Sequence, residues 1–449
     1  MSKKTQKFPS KTRRNSAALK VAESFEQCLT EAKNGVWVAG RIVGILDDGF
    51  VVQDQSGRLD VRWEEKVRVG DIVEVRIEKV VEDGESVFVG KEMEVLVPCS
   101  DDFFIPPNDA NYRRTVIDRT LMNVMEQRVE VLNGIREYFK KGRFLEVETP
   151  EVVRLPGMEP YLDVFGTEFV DMKGAGEEMF LITSPEYAMK KLLVAGYEKV
   201  FQICKSFRNK ETDSQLHNPE FTLLEWYRGF ADYEAIMEDT EKLVEALALR
   251  LHGEPKIEWN GKIVDVSTPW PRVTVVELFE QVGIEREVFE DFEKFVSAVA
   301  AKGYNVGPES SYEDVFFSVF LNEIEPNLGM EKPVIVKDYP VEMAALAKRC
   351  DGDDRYAQRF EAYVAGVELC NAFTELNDPI EQKERLEMER KERQKLGKRD
   401  YPVDQSFIRA LELGMPPSGG NALGVDRLVM LLTNTPDIRD VLFFPYKDL

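Results

Sequence analysis

Residues 201–228 read FQICKSFRNKETDSQLHNPEFTLLEWYR. Two apolar runs, FQICKSF and FTLLEWYR, flank a polar stretch that holds Arg208, Lys210, Glu211 and His217. Both runs are short and carry aromatic and branched residues, as strands of a partly buried sheet do. Successive side chains of a strand point to opposite faces, so Phe221, Leu223, Glu225 and Tyr227 share one of them. A carboxylate in such a row is costly to bury alone; if the face is inward, Glu225 should meet a cation. The stretch predicts two neighbouring strands with a polar site on one face.

Outward from this pair, MFLITS (179–184) predicts a strand, and TSPEYAMKKLL (183–193) a helix that Glu186 opens. Upstream, VMEQRVEVLNGIREYFKKGRF (124–144) sets Val124, Val131, Ile135, Tyr138 and Phe139 near one face of a long helix. That helix should stop at Gly142, with FLEVETP as a strand ended by Pro150. Downstream, FEAYVAGVELCNAFTELND (360–378) gathers Glu361, Glu368, Asn371, Phe373 and Glu375 among apolar residues, and YVAGVELCNAF within it predicts a strand. PPSGGNALGVDRLVMLL (416–432) places Gly419, Gly420 and Gly424, read as a turn, before a helix with Arg427 near its start. Residues 381–400, EQKERLEMERKERQKLGKRD, predict first a solvated helix and only second a contact surface. Alternation of strands and helices permits a parallel α/β sheet. With no GxGxxG or GxxxxGK[ST] between a strand and a helix, dinucleotide and P-loop chemistry lose most of their support.

The N-terminal part has a different character. Short alternating segments between 36 and 98, broken by DDG, QSG and EDG, predict five strands and a small closed barrel of the OB type. Trp37, Phe50, Trp63 and Phe88 are candidate stacking rings for single-stranded nucleic acid, although barrel core is the better expectation for any one of them. The chain thus divides into a basic arm and short helix (1–34), the barrel (35–98), a linker with a proline pair (99–120) and a larger domain (121–449).

The net charge of −23 argues against a generic nucleic-acid coat and against broad adhesion to acidic membranes. The first 18 residues are the exception, with six Lys or Arg and no acid, and suit either a solubilising tail or a salt-dependent phosphate contact. Five scattered cysteines and no CxxC fit a reducing cytoplasm better than a disulfide scaffold or zinc site. No apolar run suggests a secretory signal or a membrane span. With only two histidines, acid–base chemistry must rest on carboxylates or on the substrate. Arg208 and Arg427 suit a bidentate grip on phosphate oxygens, and Glu361 with Glu368 suits Mg²⁺ shared with those phosphates. Glu186, Glu225 and Glu375 suit an amine. Together they describe a nucleoside triphosphate beside a cationic small molecule, while each residue alone also fits a salt bridge or a solvated strand.

Over residues 35–449 the sequence resembles the class II aminoacyl-tRNA synthetases of the lysine/aspartate/asparagine subgroup. GRFLEVETP resembles motif 1, SFRN…HNPEFTLLEWY motif 2 and GNALGVDRLVMLL motif 3; GVELCNAFTELND and TNTPDIRDVLFFP are similar to the lysine enzymes. The resemblance implies an α+β fold: a six-stranded antiparallel catalytic sheet flanked by helices, an N-terminal OB-fold barrel that binds the anticodon, and a homodimer through motif 1. It implies ATP and Mg²⁺ as cofactors, with Arg208 on the α-phosphate and substrate carboxylate, Phe221 on adenine, and His217 beside the triphosphate. Arg427 would bind the far phosphates and Glu361 and Glu368 would organise magnesium. Glu186 and Glu225 would receive the α-ammonium of lysine, Tyr227 and Glu375 its side-chain ammonium, and Asn371 and Phe373 would orient and wall it. Where the family has Glu two residues after the motif 2 arginine, this chain has Lys210, so Glu211 takes over the adenine contact after a register change.

The active-site motifs also resemble the ligases that attach lysine or β-lysine to a lysine of elongation factor P. Ser184 and Ala422 stand where lysyl-tRNA synthetases usually have alanine and glycine, and a Cβ at Ala422 favours a shifted β-amino acid. Those ligases usually lack the barrel. The resemblance leaves as acceptors tRNA(Lys), favoured by the barrel and arm, and elongation factor P; a non-catalytic binding protein is the third possibility, weakened by retention of Arg208, Glu361, Glu368 and Arg427.

Overall fold

The computed structural model describes residues 35–54, 57–82, 84–100, 105, 109–115, 118–211 and 214–449. The predicted basic arm with its short helix, and residues 101–104, 106–108, 116 and 117 of the predicted 99–120 linker, lie outside the described residues. The chain forms two compact units, 1–119 and 120–449.

In the first unit, β1 (Val36–Leu46), β2 (Gly49–Asp54), β3 (Gly57–Arg62), β4 (Ile72–Glu82) and β5 (Glu85–Val97) close in the order β1-β2-β3-β5-β4, with β4 returning to β1. All neighbours are antiparallel except β3 and β5. Strict alternation drives Phe50, Val52, Leu59, Val61, Val73, Val75 and Ile77 inward as the barrel core. Of the four candidate rings only Phe50 is fully buried; Trp37, Trp63 and Phe88 are half-buried, and Trp63 meets Phe50 edge-on at 6.5 Å.

The second unit is built on one mixed sheet. Its strands are β6 (Leu145–Glu146), β7 (Lys199–Phe207), β8 (Glu220–Gly229), β9 (Arg272–Thr274), β10 (Val334–Pro340), β11 (Asp353–Val364), β12 (Val367–Thr374) and β13 (Ser418–Gly424), ordered β9-β10-β11-β12-β13-β8-β7-β6, with Arg349–Cys350 paired beside β11. The six from β10 to β7 run antiparallel; β9 and β6 join the ends in parallel. The parallel sheet that alternation alone permitted is therefore not formed. FLEVETP contributes only two paired residues, and MFLITS joins a separate three-stranded sheet.

The helices used below are α1 (Arg119–Lys141), α2 (Glu186–Val194), α3 (Tyr233–His252), α4 (Pro379–Lys395), α5 (Gln405–Glu412) and α6 (Val425–Thr433). On α1 the stripe Val124, Val131, Ile135 and Phe139 is buried against the sheet, with Phe139 stacked on Phe201 at 4.7 Å and tilted against Trp226 at 5.3 Å. Leu224 and Trp226 of β8 face this core, so Leu223, Glu225 and Tyr227 face the other way. Buried Arg128 of α1 pairs with Asp426 of α6 at 2.7 Å and donates to Thr222, while Asp426 accepts from the Thr222 amide at 2.8 Å. This network fixes both helices to β8.

Two expectations change. YVAGVELCNAF is a hairpin rather than one strand: Ala365 and Gly366 both take positive φ, 52° and 77°, the conformation of a two-residue turn between antiparallel strands. Gly419 and Gly420 lie inside β13, because a side chain there would strike neighbouring groups: Ile236 and Asp232 at Gly419, Glu375 and Tyr227 at Gly420. The charged helix α4 is likewise more than solvated. Arg385 donates to the carbonyls of Ala344 and Ala347, and Arg393 to those of Glu159 and Leu162, so one face of the helix closes loops over the sheet.

Candidate active site

Cross-strand register assembles the site. Glu225, Ala422, Asn371 and Glu361 are successive partners across β8, β13, β12 and β11, and Tyr227, Gly420, Phe373 and Arg359 form a second row two residues along. Both rows face a cavity of about 440 Å³. Arg208, Glu211, His217, Phe221, Glu186 and Arg427 line the same cavity, as do Glu368 and Ser184. Glu375, just past β12, is buried at its edge beside Gly420 and Tyr227. Alternation alone would turn Glu368 away from Asn371. Between Ala362↔Cys370 and Tyr363↔Glu368 the register skips Leu369, and this bulge returns Glu368 to the cavity side.

At one end of the cavity the groups are those of a polyanion site. The Arg208 guanidinium lies over the Phe221 ring at 5.1 Å, and its Nε has no hydrogen-bond partner among the described residues. Arg427 donates to Glu368 at 3.1 Å and to Nε2 of His217 at 2.9 Å, which leaves the ring proton on Nδ1. Burial, reinforced by the Arg427 cation, pushes His217 down to about 4, so the ring is neutral near pH 7. Glu361 accepts from Arg359 at 2.6 Å and from Tyr339 at 2.6 Å, and Tyr363 also donates to it. Burial raises Glu361 against the pull of Arg359. Burial would raise Glu368 too, but Arg427, Arg208 and Arg359 together offset it and hold that carboxyl below its ordinary value. Among the described residues no three acids, cysteines or histidines gather as a metal cage. Two carboxylates on the cavity wall still fit Mg²⁺, which commonly takes one or two and completes its shell with phosphate and water. The replacement of the motif 2 glutamate also has a structural outcome. Lys210, at φ 67°, turns out to Asp163 at 3.1 Å, while Glu211 lines the cavity.

The other end is acidic and buried. Among the described residues Glu225, 1% exposed, meets no cation at hydrogen-bond distance, contrary to expectation; its Oε1 accepts from Tyr227 at 2.6 Å and its Oε2 has no partner there. Burial and then Glu186 push it well above the ordinary carboxylate range. Glu375 is pushed up to about 8 by burial, against the pull of Lys190. Sequence reasoning missed Lys190. It is 1% exposed, with Nζ 2.5 Å from Glu186 Oε1 and 2.6 Å from Glu375 Oε2. Its place four residues after Glu186 on one helix was the available signal. Arg359 was also missed, although it shares a strand face with Glu361; it holds Asn371 Oδ1 at 3.0 Å as well.

Comparison with known proteins agrees with this architecture. Residues 109–448 match the family model of class II tRNA synthetases (D, K and N). The lysine–tRNA ligase of Pelotomaculum thermopropionicum is 40% identical over 341 residues, 74% of this chain and 65% of that enzyme, so this chain spans just under two thirds of that relative. The lysine–tRNA ligase of Carboxydothermus hydrogenoformans is 33% identical over 98% of this chain and 93% of its own length, and that of Moorella thermoacetica 34% identical over 91% and 88%. On these matches the chain belongs to the class II aminoacyl-tRNA synthetases of the aspartate, lysine and asparagine group.

Proposed function

We propose that this protein activates lysine with ATP as lysyl-adenylate and transfers the lysyl group to tRNA(Lys). One observation carries the reading: a single cavity holds Arg208, His217, Arg427, Glu361 and Glu368 toward one end and Glu186 and Glu225 toward the other, with Glu375 buried behind Gly420 and Tyr227 of its wall. The carboxylate of lysine attacks the α-phosphorus of ATP, the bond to the bridging oxygen breaks, and pyrophosphate leaves. No protein nucleophile is required. Arg208 grips the α-phosphate and the attacking carboxylate, and Phe221 with Glu211 takes the adenine. Arg427 and neutral His217 meet the outer phosphates. Glu361 and Glu368 would hold Mg²⁺, which supplies charge neutralisation on the phosphates when bound. Glu186 and Glu225 accept the α-ammonium, Tyr227 and Glu375 the ε-ammonium, and Asn371 and Phe373 fix the chain between them. The barrel supplies the RNA contact. A homodimer through the α1 region and a cytoplasmic location belong to the same reading; the four described cysteines are free. Among the described residues no helix is long and apolar enough to cross a membrane.

A second reading has its own observation. Ala422 lies between Glu225 and Asn371 in the first row and lines the cavity, so its methyl group narrows the space where the α-carbon would rest. That favours β-lysine, and elongation factor P as acceptor. Purified protein supplied with ATP and labelled lysine or β-lysine, with total tRNA and elongation factor P competing, tests both. Label in RNA from lysine supports the first reading; label in protein alone replaces it with the second. Absence of lysine- or β-lysine-dependent ATP–pyrophosphate exchange removes both. In the second case Ala422→Gly should move preference toward lysine.

A further inference from the structure

We propose that Lys190 is a positioning residue, a built-in counter-ion that spends one oxygen of Glu186 and one of Glu375 so that the remaining oxygens select an amino acid with two ammonium groups. The inference rests on the proposed lysine activation and adds a residue to its specificity. Three facts about the acidic end support it. First, the Lys190 side chain is fully buried, and burying an ammonium is unfavourable unless it is paired. It is paired twice, at 2.5 Å and 2.6 Å, with Phe373 under it at 5.1 Å and Phe407 at 5.9 Å. Secondly, the pairing is selective. The Lys190 ammonium stands 2.6 Å from Oε2 of Glu375, an ion pair rather than an aligned hydrogen bond, while Oε1 lies at the side of Gly420 and Tyr227; neither oxygen has an aligned hydrogen-bond donor among the described residues. Tyr227 in the same way occupies Oε1 of Glu225 and leaves Oε2 open.

Thirdly, the charges count out. Glu186, Glu225 and Glu375 against Lys190 leave two negative charges when the carboxylates are ionised, matching the α- and ω-ammonium groups of a diamino acid. Without Lys190 the same acids would outnumber those groups, and Glu375 would lack the contact that aims it. Glu186 and Glu375 together also outweigh the effect of burial on Lys190 and raise its affinity for a proton. A protonated amine is not a nucleophile, so the pocket lysine does not attack an adenylate formed beside it.

The test is lysine-dependent ATP–pyrophosphate exchange by the full-length protein and its Lys190→Met, Lys190→Gln and Lys190→Arg variants, from pH 6 to 9. In Lys190→Met and Lys190→Gln the KM for lysine should rise about tenfold or more, as when one partner of a buried charge pair is removed. The KM for ATP should stay within about threefold, and the acid limb of kcat/KM for lysine should move up by about one pH unit or more. Lys190→Arg keeps the charge and should leave the limb where it is. A role in packing alone would lower thermal stability without moving the limb, and an unmoved limb with unchanged lysine KM in the folded Met or Gln variant overturns the proposal. If these variants do not fold, the Nζ resonance of Lys190 in the parent protein decides: it should shift when lysine binds, and no shift overturns the proposal. A parent protein with no lysine-dependent exchange would instead remove the activity reading itself.

Discussion

Replacing Gly420 by alanine should disable lysine recognition while leaving ATP binding nearly intact. A Cβ on Gly420 would lie 2.4 Å from Oε1 of Glu375 and 2.4 Å from Cε1 of Tyr227. Contacts of this kind settle near 3.5 Å, so each neighbour would have to retreat by roughly 1 Å. Neither has room. Glu375 and Tyr227 are 1% and 2% exposed, one tied to Lys190 at 2.6 Å and the other to Glu225 at 2.6 Å. Overpacking of this kind costs about 1–3 kcal/mol, to be read from the urea midpoint. A displacement of about 1 Å at a binding group can lower kcat/KM on the order of 10²-fold. The expected outcome in ATP–pyrophosphate exchange is therefore a loss of that order for lysine, with the KM for ATP within about twofold, because Arg208, Phe221 and Arg427 are not displaced. Gly424→Ala is the stability control: on the same strand its Cβ would meet only the Arg427 side chain, no closer than 3.8 Å, and the urea midpoint should not move. Normal lysine KM and kcat in folded Gly420→Ala would show that the space beside Glu375 is not where the substrate ammonium sits.

Three further outcomes are expected. Arg208→Ala should lower the single-turnover rate of adenylation more than it weakens ATP binding, because the guanidinium meets charge that develops as the α-phosphorus is attacked; unchanged adenylation would remove it from the reaction. Asp426→Asn takes the charge from a buried pair and leaves Arg128 uncompensated, a loss of about 3–5 kcal/mol in urea unfolding; a loss below about 1 kcal/mol would show that the Arg128–Asp426 network does not anchor the helices. Burial lifts Glu375 to about 8, so below that pH its carboxyl holds a proton that an arriving ammonium must displace. Lysine kcat/KM should rise from pH 6 toward 8, by up to about tenfold per unit for one group, and a flat profile would contradict the assignment of Glu375.

How legible the molecule was in its sequence follows the strength of each local signal. KVFQICKSF and FTLLEWYRGF are short runs rich in aromatic and branched residues, and strands appear at Lys199–Phe207 and Glu220–Gly229. The α1 stripe was equally plain. The hairpin at Ala365–Gly366 was hidden because Ala-Gly is a weak turn signal inside a continuous apolar run, and the glycines of β13 resembled a turn because their reason is a neighbour distant in sequence. The buried arginines of α4 follow no apolar period; they are stabilised by backbone carbonyls of other segments, which composition does not reveal. Local reading named the residues proposed to face the ligands but not their partners. Lys190 and Arg359 act by pairing with those residues, and pairing depends on how strands and helices are brought together.

The same register that builds the site also makes it depend on the opposite face. Trp226, Asn421, Ala372 and Phe360 are cross-strand neighbours one residue out of step with Glu225, Ala422, Asn371 and Glu361. Since side chains alternate, a one-residue slip of β13 would exchange Ala422 for a core residue and push Asn421 into the cavity. Apolar burial alone constrains β13 weakly, because three of its seven residues are glycines and Ala422 is small. A polar contact supplies the missing constraint. Asn421 is 2% exposed and its Nδ2 donates to the equally buried Thr240 Oγ1 of α3 at 2.7 Å. Slipping β13 would break this buried bond and leave Thr240 Oγ1 with only its own bond to the Ile236 carbonyl, a loss of about 1 kcal/mol. A polar pair on the core side thereby holds the strand in the one register that sets Gly420 beside Glu375 and Ala422 beside Glu225.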